Sequence, residues 1–141
     1  MIITVPLQII DLHDDGFHPL VNVTINNKPF ILVLDTGASR TAFDHDIFLK
    51  DGDNSSIIAR DRLSTGLGTN SMASSTALIS DMQIGDFIVP EFEVAVLDLS
   101  SINIAYRQLN HPEVLGVLGG GMLIIYKAVI DYGKKRIKFK V

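Results

Sequence analysis

Apolar residues alternate with polar ones, or gather in short unbroken runs, and small polar residues punctuate them along most of the chain. That is the pattern of short strands bounded by turns. Ile2 to Ile10 is apolar and β-branched, and Asp11 to Gly16 is a polar turn. His18 to Ile25 places Leu20, Val21, Val23 and Ile25 in a second strand, and Asn26-Asn27-Lys28-Pro29 turns the chain into Phe30 to Leu34. Asp44 to Lys50 is a short helix with Asp44 as its cap and Ile47 and Phe48 on one face. A polar loop, Asp51 to Ser56, precedes a Gly/Ser/Thr-rich stretch from Leu63 to Ser75. Thr76 to Met82 and Asp86 to Leu97 read as a strand pair around Ile84-Gly85. Ser100 to Leu109 is a second helix, Val114 to Leu118 a buried strand, and Gly120 to Lys127 a short helix. Ala128 to Val141 closes the chain as a hairpin over Tyr132-Gly133-Lys134.

The pattern contains an echo. Phe30 to Gly37 is an apolar strand running into a Gly turn, and Val114 to Gly119 is another. Each is followed by a helix within a dozen or so residues. A chain of 141 residues, 47% hydrophobic, supports one sizeable core, so residues 1–141 are expected to form a single domain.

Charge and composition narrow the function classes. The net charge is -4, and aromatic residues make up only 7%, with no basic run, which excludes nucleic acid as an expected partner. The chain has no cysteine, so disulfides, thiol catalysis and cysteine metal sites are out. The Met1 to Pro6 start lacks the basic segment and cleavage site of a signal peptide. Val114 to Ile130, the longest apolar stretch, is interrupted by Gly116, Gly119, Gly120, Gly121 and Lys127 and is not a membrane helix. A cytoplasmic, membrane-free setting is the default expectation.

Several motifs carry no chemistry. Asp44-His45-Asp46 points adjacent side chains in different directions and reads as a solvated helix start, not a metal site. His13, His18 and His111 form no ligand spacing. Asp51-Gly-Asp-Asn54 opens like a calcium loop, but Arg62 stands where the bidentate Glu would be. Ser55, Ser74 and Ser75 lack a Gly-x-Ser-x-Gly context. Asp131, in Ile130-Asp-Tyr132, reads as structural. No metal and no organic cofactor are implied.

Val33-Leu34-Asp35-Thr36-Gly37-Ala38-Ser39 is different. It sets one carboxylate at the end of an apolar strand, in a turn only small residues can make. With Gly116-Val117-Leu118-Gly119 downstream, and the ending Ala128 to Tyr132 followed by Arg136 to Phe139, the chain resembles a retropepsin-type aspartic protease of the cellular kind over nearly its whole length. The stretch between Gly37 and Gly119 is longer than in compact viral members, with the extra residues assigned to Asp51–Arg62 and Ser100–His111.

The resemblance implies an all-β fold: a closed acid-protease barrel with a flap hairpin and one to three short helices. It implies an aspartic endopeptidase in which Asp35 pairs with the Asp35 of a second copy, since the chain holds no second Asp-Thr-Gly or Asp-Ser-Gly. Thr36 would lock the two catalytic loops through its hydroxyl. Gly37 would supply close backbone approach, a positive φ and an amide bonded to the carboxylate. Ala38 matches the dimeric class, and Ser39 departs from the Asp common in viral members. Gly66, Leu67, Gly68 and Thr69 would belong to the flap and touch substrate, with Leu67 or Met72 at its tip. Val117, Leu118 and Gly119 would support the cleft. The partners implied are an extended peptide or protein substrate and a second copy of the chain. In viral members the termini interleave into one sheet, and Ile2–Val5 and Ile137–Val141 have the residues to do so; Tyr106, Gln108 and His111 offer a different interface. The alternative function is a protease-like dimer that binds extended peptides without cutting them.

Overall fold

The computed structural model describes residues 1–51, 57–66 and 69–141, and side chains except at 51–74. The fold is mostly β. Among the described residues, twelve strands are joined by three short helices: β1 (Ile2–Asp11), β2 (Phe17–Ile25), β3 (Lys28–Asp35), β4 (Ala42–Asp44), α1 (His45–Asp51), β5 (Ile57–Gly66), β6 (Thr69–Ile79), β7 (Met82–Ile84), β8 (Phe87–Ile88), β9 (Phe92–Leu97), α2 (Ser100–Gln108), β10 (Gly116–Gly119), α3 (Gly120–Ile125), β11 (Val129–Asp131) and β12 (Arg136–Lys140). A short 3-10 turn covers His13–Asp15.

The sheet runs β11-β12-β1-β2-β3-β10-β4-β9-β6-β5, with β7 and β8 attached beside β2. It is open, not the closed barrel expected: β11 and β5 are its two ends. The cause lies in β1. Its first half, Ile2–Pro6, pairs with β12, and its second half, Leu7–Asp11, pairs with β2. Pro6 stands at the change of partner, where a residue with no N–H to give a ladder is tolerated. Beyond that point Thr24 and Ile25 of β2 take β7 as neighbour instead. The sheet therefore folds over at β1.

The terminal strands are also satisfied within the chain. Ile2 sits opposite Lys140, and the Met1 and Val141 backbones exchange hydrogen bonds of 3.0 and 2.9 Å. β11 occupies the other edge of β12. Within one chain the two terminal strands therefore pair with each other.

Both faces of the central strands are covered, which is why they read as unbroken apolar runs. Leu32, Leu34 and Leu118 enter one core cluster with Phe43, Phe48, Ile137 and Phe139. Val33 and Val117 enter a second, with Ile10, Leu20, Ala95 and Tyr106. Helix α2 closes the second cluster. Its buried Asn103 acts as a strand neighbour, giving a side-chain N–H to the Val114 carbonyl and accepting the Val114 N–H, both at 2.9 Å. Tyr106 of the same helix meets His18 Nδ1 at 2.6 Å through its hydroxyl, and His111 Nε2 donates to the Asp11 carbonyl at 2.6 Å. These residues are thereby spent on anchoring α2 to the β1–β2 hairpin.

Helix α1 begins as its sequence indicates, with Asp44 Oδ2 accepting the Ile47 N–H at 3.1 Å. The carboxylate's other oxygen accepts the Leu99 N–H at 2.8 Å, so one buried Asp holds two elements. Two expectations change. Ala42–Asp44 is a strand that is too short to read from periodicity. The expected strand pair from Thr76 to Leu97 is split: β6 pairs with β9, while β7 and β8 form their own small turn around Gly85. Pro90, which cannot continue a ladder, separates β8 from β9. Residues 52–56 of the expected polar loop lie outside the described residues.

Burial pushes the Tyr106 pKa up to about 12 from its ordinary value of 10.0. A folded pKa above the unfolded one gives stability that is whole below pH 10 and lost as pH rises toward about 12. Urea denaturation across that window should show a steeper loss in the wild type than in Tyr106→Phe. Equal slopes would remove the burial of Tyr106 as the cause.

Candidate functional site

Asp35 is the last residue of β3 and lies beside Gly119, the last residue of β10, in a parallel pair that also matches Leu32 to Gly116 and Leu34 to Leu118. The two echoing segments are thus neighbours. On its other side β10 pairs with β4, through Gly116 opposite Phe43 and Val117 opposite Ala42. The chain leaving β3 at Asp35 must therefore cross the end of β10 before it can enter β4. Residues 36–41 make that crossing.

The crossing is tight. A Cβ on Gly119 would lie 2.4 Å from the Arg40 carbonyl carbon and oxygen, and one on Gly116 would lie 2.0 Å from the Ala42 carbonyl oxygen. Only glycine fits at both. The loop is then laced to the strand beneath it. The Gly119 N–H donates to Thr41 Oγ1 at 3.1 Å, a buried bond. The Gly120 N–H donates to the Ala38 carbonyl at 2.6 Å, and the Gly121 N–H to the Ser39 carbonyl at 3.0 Å. Arg40 forms an ion pair of 3.2 Å with Glu93 of β9, fixing the loop's far end.

Within the loop, Asp35 Oδ1 accepts the Gly37 N–H at 3.0 Å, and the Ala38 N–H closes the turn on the Asp35 carbonyl at 3.2 Å. A turn of that kind needs no positive φ at its centre. Gly37 accordingly has none: the glycines with positive φ among the described residues are Gly16 and Gly85. Of the roles expected of Gly37, amide donation to the carboxylate is present and the positive φ is not. Asp35 and Ala38 are half-buried, whereas Thr36, Gly37 and Ser39 are exposed. The carboxylate is held by one backbone donor at the rim of a surface.

Val117 packs in the same cluster that Ala38 touches. Leu118 is fully buried in the opposite cluster and supports the site only from beneath. β5 and β6 form the hairpin expected from the Gly-rich stretch, with Gly66 opposite Thr69. Leu67 and Gly68 lie outside the described residues.

Arg40, Thr41 and Glu93 were not identifiable from the sequence. The Thr41 to Gly119 bond spans 78 residues, and no local pattern announces it. The Asp131 carboxylate accepts the Lys134 N–H at 2.9 Å in the β11–β12 turn, which holds it below the usual carboxylate range. Among the described residues no three His, Cys, Asp or Glu side chains gather as metal ligands, and no helix is long and apolar enough to cross a membrane.

The sequence matches the aspartyl protease family over residues 21–121. No curated protein matches it. Among solved structures it is similar to a retropepsin-like aspartic protease from Rickettsia conorii, at 21% identity and a TM-score of 0.55, covering 99% of this chain and 89% of that one. It is also similar to the retroviral protease-like domain of Ddi1 from Leishmania major, at 14% identity and a TM-score of 0.57, covering 80% of each chain. At these identities the likeness is one of fold.

Gly119→Ala would force the loop off the strand and should cost about 1–3 kcal/mol of stability by urea denaturation. Thr41→Val leaves the buried Gly119 N–H without its acceptor and should cost about 1–3 kcal/mol, while Thr41→Ser, which keeps the oxygen, stays near wild type. A loss in Thr41→Ser with Thr41→Val near wild type would assign the effect to the methyl group instead.

Proposed function

Because the chain belongs to the aspartyl protease family, we propose that it is an aspartic endopeptidase whose two catalytic carboxylates are the Asp35 residues of two copies of the chain. The observation that carries this is the placement of Asp35: its carboxylate is held by the Gly37 amide at the exposed end of β3, on a loop bonded to Gly119–Gly121. Residues 1–141 would act as one domain, twice used.

The chemistry follows from the pair. Two carboxyl groups about 3 Å apart cannot both ionise, so they share one proton. That proton belongs to the dyad, not to one residue. The ionised member takes a proton from a water held between them, and the water oxygen attacks the scissile carbonyl carbon. The protonated member hydrogen-bonds to the carbonyl oxygen as it gains charge. Collapse of the tetrahedral carbon breaks the C–N bond, and the nitrogen leaves with a proton from the dyad. No metal and no covalent intermediate are needed.

Thr36 and Gly37, both exposed, stand where a second loop would meet the first. Across a two-fold axis each residue faces its own copy, which is the arrangement a self-paired Asp requires. The β5–β6 hairpin would serve as the flap, with Gly66, Leu67, Gly68 and Thr69 over the peptide. An extended peptide would lie between hairpin and loop as an added strand. Closing it there excludes bulk water from the dyad.

The test is hydrolysis of an unfolded protein such as casein between pH 3 and 8. Asp35→Asn should lower the rate at least about 100-fold while leaving the fold intact by circular dichroism. Equal cleavage by both would show that Asp35 is not the catalytic residue. Peptide binding by both, without cleavage by either, would make the chain a peptide-binding relative of the proteases.

A further inference from the structure

Helix α3 carries an apolar face left exposed among the described residues. Met122 and Leu123 are buried in the core, at 7% and 8% exposure, but Ile124 and Ile125 are 79% and 68% exposed. Gly121, three and four residues before them, is exposed as well. Residues at that spacing share one helical face. The stripe therefore runs from a bare glycine backbone to two isoleucines, with no charge in it. Two adjacent exposed isoleucines on a six-residue helix are unusual for a surface that meets only water.

The place of the stripe decides what covers it. Gly121 is bonded to the Ser39 carbonyl, and Gly120 to the Ala38 carbonyl. Ile124 and Ile125 lie about one turn beyond Gly121, roughly 4.5–6 Å along the helix axis. The stripe thus begins four residues' reach from Asp35 and continues the exposed surface of Thr36, Gly37 and Ser39. In a two-fold dimer that brings two Asp35 carboxylates within about 3 Å of each other, the axis passes beside this loop. Exposed surface bonded to the loop then lies close to that axis.

The usual alternative for such a dimer is exchange of terminal strands, which here are already paired with each other within one chain. β12 has neighbours on both edges, and Ile2–Pro6 already pair with Lys140–Arg136. Exchange would first break a ladder that is complete.

We infer that the second copy docks through the Gly121–Ile124–Ile125 face of α3 together with the Thr36–Ser39 loop, while each copy keeps its own terminal strands. The inference rests on the proposed self-paired Asp35. It names the surface that makes the pair and makes α3 a coupling element: it is bonded to the catalytic loop at one end and to the partner along its face.

Sedimentation velocity over a concentration series tests it, with circular dichroism and thermal melting as fold controls. The Ile124→Glu/Ile125→Glu variant should raise the dimer dissociation constant at least about 100-fold with the fold intact. Ile124→Ala/Ile125→Ala gives a milder loss in the same direction and serves if the glutamates perturb folding. Because the chain has no cysteine, Ile2→Cys/Lys140→Cys reads the termini cleanly. Oxidation should give an internal disulfide that runs as a single chain on a non-reducing gel. A wild-type dimer that both α3 variants leave unchanged, or disulfide-linked dimers from the Cys pair, would overturn this docking surface and leave the Asp35 dyad standing. A wild type that cleaves as a strict monomer would overturn the dyad and this inference with it.

Discussion

The Asp35 end of this fold depends on one close approach of backbone to backbone. β10 is threaded between β3 and β4, two strands that follow each other in the chain. The link between them must span two strand spacings, about 9–10 Å, over the end of the strand in the middle. It can lie flat there only because Gly119 has no side chain: a Cβ would come within 2.4 Å of Arg40. Once it lies flat, the Gly119 amide reaches Thr41 and the next two amides reach Ala38 and Ser39. The carboxylate of Asp35 inherits its position from those bonds. A larger residue at Gly119 would alter the whole loop through its backbone, without touching Asp35 directly.

This arrangement separates strength from chemistry. The apolar side chains of β3 and β10 enter two cores on opposite faces of the sheet, so the strands are locked by burial. The loop above them contributes little burial of its own: Thr36, Gly37 and Ser39 are exposed. Its order comes from hydrogen bonds to a rigid strand end and from the Arg40–Glu93 pair. The ion pair is half-exposed and worth little as stability. Its effect is to tether the exit of the loop to β9, the strand that also pairs with β6 and so carries the β5–β6 hairpin. The loop and the hairpin thus share a common support.

Much of this was legible because the two signals that mattered were local. An apolar run ending in Asp-Thr-Gly, and another ending in Gly, show their own geometry, and Asp44 announces the helix it caps. What escaped was non-local. β4 has three residues and takes its strand character wholly from its neighbours β10 and β9. Thr41 reads as one more loop threonine until Gly119, far away in sequence, supplies its donor. The division of β1 between β12 and β2 leaves no mark in an unbroken β-branched run, and with it went the prediction of a closed barrel. Pro6 was visible, but a proline says only that a ladder is interrupted, not which strand arrives next.

That division of β1 has a consequence for how association and folding are coupled. If terminal strands were exchanged between copies, each copy would lack a sheet strand when alone, and its stability would be inseparable from concentration. Here the N- and C-terminal strands complete their ladder within one chain, and residues of that ladder such as Ile137 and Phe139 are buried in the main core. A single copy is therefore a finished fold, and under the proposed dyad it would hold half of the site. Pairing through side chains near the loop would then add a second carboxylate without adding any strand, so dilution would remove activity while leaving the folded chain in place. The carboxylate is held at a surface by a frame that does not need the partner. The partner would determine only whether that carboxylate stands alone or shares a proton.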